Sequence, residues 1–177
     1  MCFNRFCISL TVKYLYYREV CINVKRKNNH SPPEGGGFQP SSKGTIMLRR
    51  YIYNDREILD EMLLTEGLLA SELPQKGYES YDTFILDDDG MIKGFFSIKN
   101  EWGFPSLEYF CTKREYRSPE LARELTRAFT GVIKINGFKK AIVHAAKEQI
   151  GKYIEYYWKT KPYAYKNDTA WYLVEVK

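Results

Sequence analysis

Cysteine is scarce where it would matter. Cys2, Cys7 and Cys21 fall in the first quarter of the chain, and Cys111 is the only thiol in the remainder. A lone thiol builds neither a disulfide framework nor a cysteine zinc site, so the body fits a reducing cytoplasm. Long apolar runs are missing as well. The stretch Phe6 to Val12 is too short to span a bilayer, is followed by Lys13 and Arg18, and lacks a small-residue cleavage site, so neither a membrane span nor a signal peptide is expected. Internal repeats are absent. Excess charge is also absent from most of the chain, although the net formal charge is +5. Residues 1–46 carry seven Lys or Arg against two Asp or Glu, and the remainder carries twenty of each. A nucleic-acid-binding fold concentrates positive charge on its own surface, so a neutral body argues against nucleic acid as a partner.

What is present is the material of one folded domain with an appendage: 177 residues, 44% apolar, 16% aromatic and 28% charged. Asn28 to Thr45 holds three prolines and four glycines without apolar periodicity, and reads as a linker. The β-prone segment before it has no evident partner strand. Lys43-Gly44 implies codons AAR-GGN, close to a bacterial ribosome-binding sequence, with Met47 soon after. Residues 1–46 are therefore expected to be an extension outside the fold, with Met47 the natural start and 47–177 the folded domain.

From Met47 the pattern becomes regular. "MLRRYIY" predicts a strand. Asn54, with Glu57 three residues on, predicts a helix start, and Ile58, Leu59, Met62 and Leu63 give that helix an apolar face. A short helical piece is expected over Leu68 to Leu73, ended by Pro74. "YDTFIL" and "MIKGFFSI" flank "DDDG" as a hairpin around an Asp-Gly turn, and the three acids lack the alternating spacing of a calcium loop. "SLEYFCT" is a further strand. Ser118 then suits a helix N-cap, Pro119 the first helical position and Glu120 the first turn. Leu121, Leu125, Ala128, Phe129 and Val132 recur at helical spacing up to a stop at Gly137. "KAIVHAA", "EQIGKYIEYYWKT" and "AWYLVEV" complete the order as strand, helix and strand. His144 reads as a satisfied buried histidine and Cys111 as a small core residue.

The free amides at the start of the "SPELARELTRAF" helix could receive an anion, although an ordinary capped helix has the same sequence. The element order favours a ligand. One strand, two helices, a three-strand meander, then helix, strand, helix and strand resembles the GNAT superfamily of acyl-CoA N-acyltransferases over residues 47–176. The resemblance implies an α/β (α+β) fold with a mixed, mostly antiparallel sheet of about six or seven strands and helices on both faces. It further implies an N-acetyltransferase using acetyl-CoA as co-substrate and acylating a small-molecule or protein amine by direct attack; a homodimer is compatible with it. In that family the fourth strand runs into a loop Q/R-x-x-G-x-G/A that holds the coenzyme A pyrophosphate. Here Arg117 matches the first position and Ala122 the last, with Ser118 and Leu121 between, but Glu120 replaces the middle glycine. A carboxylate there opposes the phosphates, which supports the alternative of a catalytically inactive binding or assembly protein on the same fold. The resemblance places a general base at Glu108, oxyanion and pantetheine donors in the main chain near Cys111 and Thr112, and a general acid at Tyr157, chosen over Tyr153 and Tyr156 because "YWKTKPY" is similar to the family's Y-x-K-x-G-F. The family's asparagine near that helix start is absent, with Gln149 the nearest substitute. No metal is implied.

Overall fold

The computed structural model describes residues 46–176. The expected extension and linker over residues 1–45 lie outside the described residues. Strand β1 (Ile46–Arg50) begins one residue ahead of the Met47 boundary, with Ile46 opposite Asp88 of β2 (Asp82–Asp88). β3 (Met91–Glu101) and β4 (Phe104–Thr112) complete an antiparallel meander. Helix α2 (Pro119–Ile135) leads to β5 (Lys140–Ala145), helix α3 (Glu148–Trp158) follows, and β6 (Ala164–Lys166) and β7 (Thr169–Glu175) end the chain. The sheet order is β1-β2-β3-β4-β5-β7-β6, and only the β4–β5 pairing is parallel. The sheet is thus seven-stranded and mostly antiparallel, with helices on both faces, as the element order implied.

Local chemistry explains most of these elements. The Asp89-Gly90 turn between β2 and β3 has positive φ at both residues, the two-residue hairpin form whose twist matches its strands. Trp102-Gly103 joins β3 to β4 and Asn167-Asp168 joins β6 to β7 in the same way. The last of these hairpins, and with it β6, was not expected from the sequence. Helix α1 (Arg56–Thr65) buries Leu59, Met62 and Leu63, while Ile58, expected on the same face, is exposed. Its start is also corrected. Asn54 lies inside a 3-10 turn, Tyr53–Asp55, and Asp55 takes the N-cap position of α1 without a side-chain cap bond, its carboxylate instead accepting from the Ile52 amide at 2.8 Å. The second helical piece shrinks to one 3-10 turn, Ala70–Glu72, because Gly67 and Pro74 leave no room for more.

Two apolar layers sandwich the sheet. One face packs Phe96, Ile98, Leu107, Val143 and Tyr172 against Leu125 and Phe129 of α2 and Ile154 of α3. The other packs Ile85, Phe95 and Cys111 against Leu59, Met62 and Leu63 of α1. No helix among the described residues is long and apolar enough to cross a membrane.

Candidate active site

The sheet opens at its one parallel junction. β4 and β5 pair only at Ser106 with Ile142 and Leu107 with Val143. Directly beyond, Ser97 lies opposite Tyr109 while Ile98 lies opposite Leu107, so Glu108 is an extra residue, a β-bulge that bends β4 away from β5. The Lys113 amide donates to the Lys93 carbonyl at 2.8 Å. Antiparallel ladders alternate the direction of their main-chain groups, so Cys111 and Tyr109 also turn to β3, whereas Thr112 and Phe110 turn their N–H groups into the opening. Of the two expected main-chain donors, the Thr112 N–H thus faces the opening and the Cys111 N–H faces β3, while the Phe110 N–H also faces the opening. The Cys111 thiol sits under α1, 3.9 Å from the Met62 carbonyl oxygen, and burial pushes it up to about 12.

The loop after β4 is filled by its own side chains. Arg117 binds the Glu66 carboxylate and reaches the Thr112 carbonyl at 3.2 Å and its hydroxyl at 3.4 Å. Ser118 Oγ accepts from the Leu121 amide at 3.1 Å, and the Ala122 amide donates to the Ser118 carbonyl at 3.1 Å. Pro119 has no N–H to offer. The Glu120 carboxylate folds back on its own amide, which holds it below the usual carboxylate range with help from Arg123, at 2.7 Å, and Ser118. Four consecutive positions thus offer a pyrophosphate few open amides and one fixed negative charge. The loop is therefore poorly suited to receive phosphates.

Tyrosines line the helical side. Thr126 Oγ1 of α2 donates to the Ala122 carbonyl at 2.7 Å, so its 3.0 Å bond with Tyr153 of α3 must use the tyrosine proton. Tyr157 stacks beneath Tyr153 with ring centroids 5.9 Å apart and leans on Trp158 at 4.8 Å. Tyr156 is exposed beside Lys159, and Gln149 is exposed in the first turn of α3.

The opposite face of the junction carries a polar cluster. The Glu108 carboxylate lies 2.7 Å from Lys99 Nζ, and His144 Nε2 lies 4.0 Å from Glu101 Oε2. The His144 ring packs on Trp171 at 3.9 Å, and Trp171 stacks with Trp102 at 6.2 Å. Glu101 Oε2, Ser106 Oγ and His144 Nε2 are buried without a hydrogen-bond partner. His144 is therefore not the satisfied core histidine that its sequence context suggested. Burial lowers its pKa below the ordinary histidine value, against the opposing pull of Glu101 and Glu108. The one available signal was the alternation of "IVHA", which puts His144 opposite the face of Val143 and Ala145. No group of three or more His, Cys, Asp or Glu among the described residues is arranged to hold a metal.

The sequence matches no protein-family model and no curated protein. Solved structures do match. A putative N-acetyltransferase from Lactobacillus plantarum superposes with a TM-score of 0.64 at 15% identity, over 75% of this chain and 99% of that one. The ribosomal-protein-S18-alanine N-acetyltransferase from Escherichia coli gives 0.58 at 11% identity, over 75% and 94%. The PaiA N-acetyltransferase from Thermoplasma acidophilum, solved in complex with coenzyme A, gives 0.57 at 13% identity, over 73% and 98%. The chain has the GNAT acyltransferase fold. At these identities the likeness establishes the fold alone.

Proposed function

We propose that the protein transfers an acyl group, acetyl in the simplest case, from coenzyme A to a primary amine, small or protein-borne, in the cytoplasm. The observation that carries this reading is the opening between β4 and β5 after only two paired positions, with the Glu108 bulge turning the Phe110 and Thr112 amides into it. Acetyl-CoA would supply an activated acyl carbon there. Glu108 and His144, on adjacent strands at the junction, are the groups that take the proton from the incoming ammonium. A neutral histidine with an unpartnered Nε2 suits that task near neutral pH. The freed amine nitrogen bonds to the acyl carbon, and the Phe110 and Thr112 N–H groups donate to the oxygen that gains charge. As the carbon–sulfur bond breaks, Tyr153 protonates the departing thiolate, with Tyr157 one turn further along the same helix, and the second proton of the newly bonded nitrogen is lost to solvent, from which Tyr153 is reprotonated. The products are an amide and a free thiol.

The alternative, a binding or assembly protein without turnover, is favoured by one observation, the self-filled loop at Ser118, Pro119 and Glu120. Incubating the full chain with acetyl-CoA and a panel of primary amines, with free thiol and amide read by mass spectrometry, separates the two. Coenzyme A retained without amide formation supports the binding protein; thiol and amide rising together support transfer.

A further inference from the structure

Resting on acyl transfer as proposed, we infer that the acceptor is a small amine cation with an aromatic or apolar body and no carboxylate beside its nitrogen. Its ammonium sits among Glu101, Glu108 and His144, and its body lies against the Trp102–Trp171 pair. Four observations meet here. Ser106 is fully buried with its hydroxyl unpartnered, and the β3–β4 register sets it opposite Lys99, on the floor of the same cluster. The unpartnered atoms are acceptors or can act as such: a carboxylate oxygen, a hydroxyl oxygen and, with the proton on Nδ1, a neutral imidazole nitrogen. An ammonium brings three donors and no acceptor, which is the complement this set lacks.

Charge narrows the class. Two carboxylates, Glu101 and Glu108, face the single cation of Lys99, and His144 is held toward its neutral form. A cation relieves that imbalance, whereas a carboxylate on the acceptor would meet Glu101 at close range. Trp102 is 77% exposed at the tip of the β3–β4 hairpin, yet its ring is held on Trp171, whose neighbour is His144. A large ring fixed beside unpaired acceptors offers both an apolar wall and a cation–π face.

Calorimetric titration of the full chain with phenethylamine and with phenylalanine, without any acyl donor, tests this. The two share a ring and spacing, and differ by the carboxylate. Phenethylamine is expected to bind about tenfold more tightly or better, the scale of one like-charge contact at a partly shielded site. Glu101→Gln should erase most of that preference. Trp102→Ala, at an exposed position that leaves the fold intact, should weaken both ligands. Equal binding of the two, or no phenethylamine binding at millimolar concentration, overturns the inference. The parent reading fails separately. Phenethylamine that binds but is never acylated removes transfer and leaves the site. Phenylalanine acylated as readily as phenethylamine keeps transfer and removes the inference.

Discussion

Two polar clusters on one sheet are made of similar side chains and end differently. At the β1–β2 edge, Arg49 sends a fork to both oxygens of Asp55, at 2.8 and 2.9 Å, and its Nε to Asp87 at 2.7 Å. The remaining demands are met locally: Asp55 also accepts from the Ile52 amide and Asp87 from the Gly90 amide. Every oxygen of these buried carboxylates has a partner. At the β4–β5 junction, Glu101, Ser106 and His144 each keep a buried atom without one. Buried polar groups in folded proteins are nearly always paired. The first cluster locks a helix start and a turn to the sheet, and the second leaves three buried polar atoms unpaired.

The largest expected effect breaks the complete cluster. Arg49→Met would leave Asp55 and Asp87 buried without their cation, at a cost of about 3–5 kcal/mol. In a thermal melt this appears as a drop of roughly 10 °C or more. A melt within two or three degrees of the parent, on the order of the scatter of a surface change, would mean that the network is ornamental and the contrast false.

Next come replacements in the incomplete cluster, which should cost rate and spare the fold. His144→Gln and Glu108→Gln are each expected to lower kcat/KM by about a hundredfold or more, with melting little changed. The pH profile separates them. Burial depresses the His144 pKa, and the neutral form is the active one, so parent activity should hold at neutral pH and fall on the acid side, below about 6.5. His144→Gln should lose that acid limb and Glu108→Gln keep it. The same sign applies to stability. The folded state resists the proton that the unfolded chain accepts, so the stability tied to His144 is present above about 6.5 and is lost as pH falls toward the lower folded value.

A smaller effect distinguishes the tyrosines. Tyr153→Phe removes the proton that now spans α3 and α2 and should slow turnover by roughly ten- to a hundredfold. Tyr157→Phe should cost less. The reverse order, measured by steady-state rates, would make Tyr157 the acid, as the sequence resemblance implies.

These outcomes bear on what a sequence can carry. The Asp89-Gly90 hairpin and the Ser118-Pro119 helix start were legible because a few adjacent residues decide them. β6 was not: it is three residues long, Tyr165 and Lys166 are exposed, and its turn, Asn167-Asp168, has no glycine. Glu108 could be picked out as a carboxylate on the fourth strand. That it is a bulge depends on how β3 pairs with β4, and no local pattern records it. That the Phe110 amide faces the opening and the Cys111 amide faces β3 follows from the same register. The unpaired nitrogen of His144 depends on what Glu101 and Trp171 do around it, both distant in sequence.

The smallest expected effect concerns the loop. Glu120→Gly removes the carboxylate that occupies its own amide and allows closer approach of a phosphate, so acetyl-CoA affinity should rise several-fold at low salt. The melting temperature should fall slightly, because glycine is a poor helix former. Unchanged affinity would show that the loop makes no contact with the phosphates.

The most direct measurement is turnover itself. The purified full chain is mixed with acetyl-CoA and phenethylamine, and free coenzyme A and N-acetylphenethylamine are quantified together by mass spectrometry. The expected result is equal amounts of the two products above the hydrolysis blank, nearly abolished in a His144→Gln protein that melts like the parent. Products undiminished in both the His144→Gln and Glu108→Gln proteins would contradict the assignment of the junction. No product, with no acetyl-CoA bound at millimolar concentration, would contradict acyl transfer altogether and leave a GNAT fold put to another use.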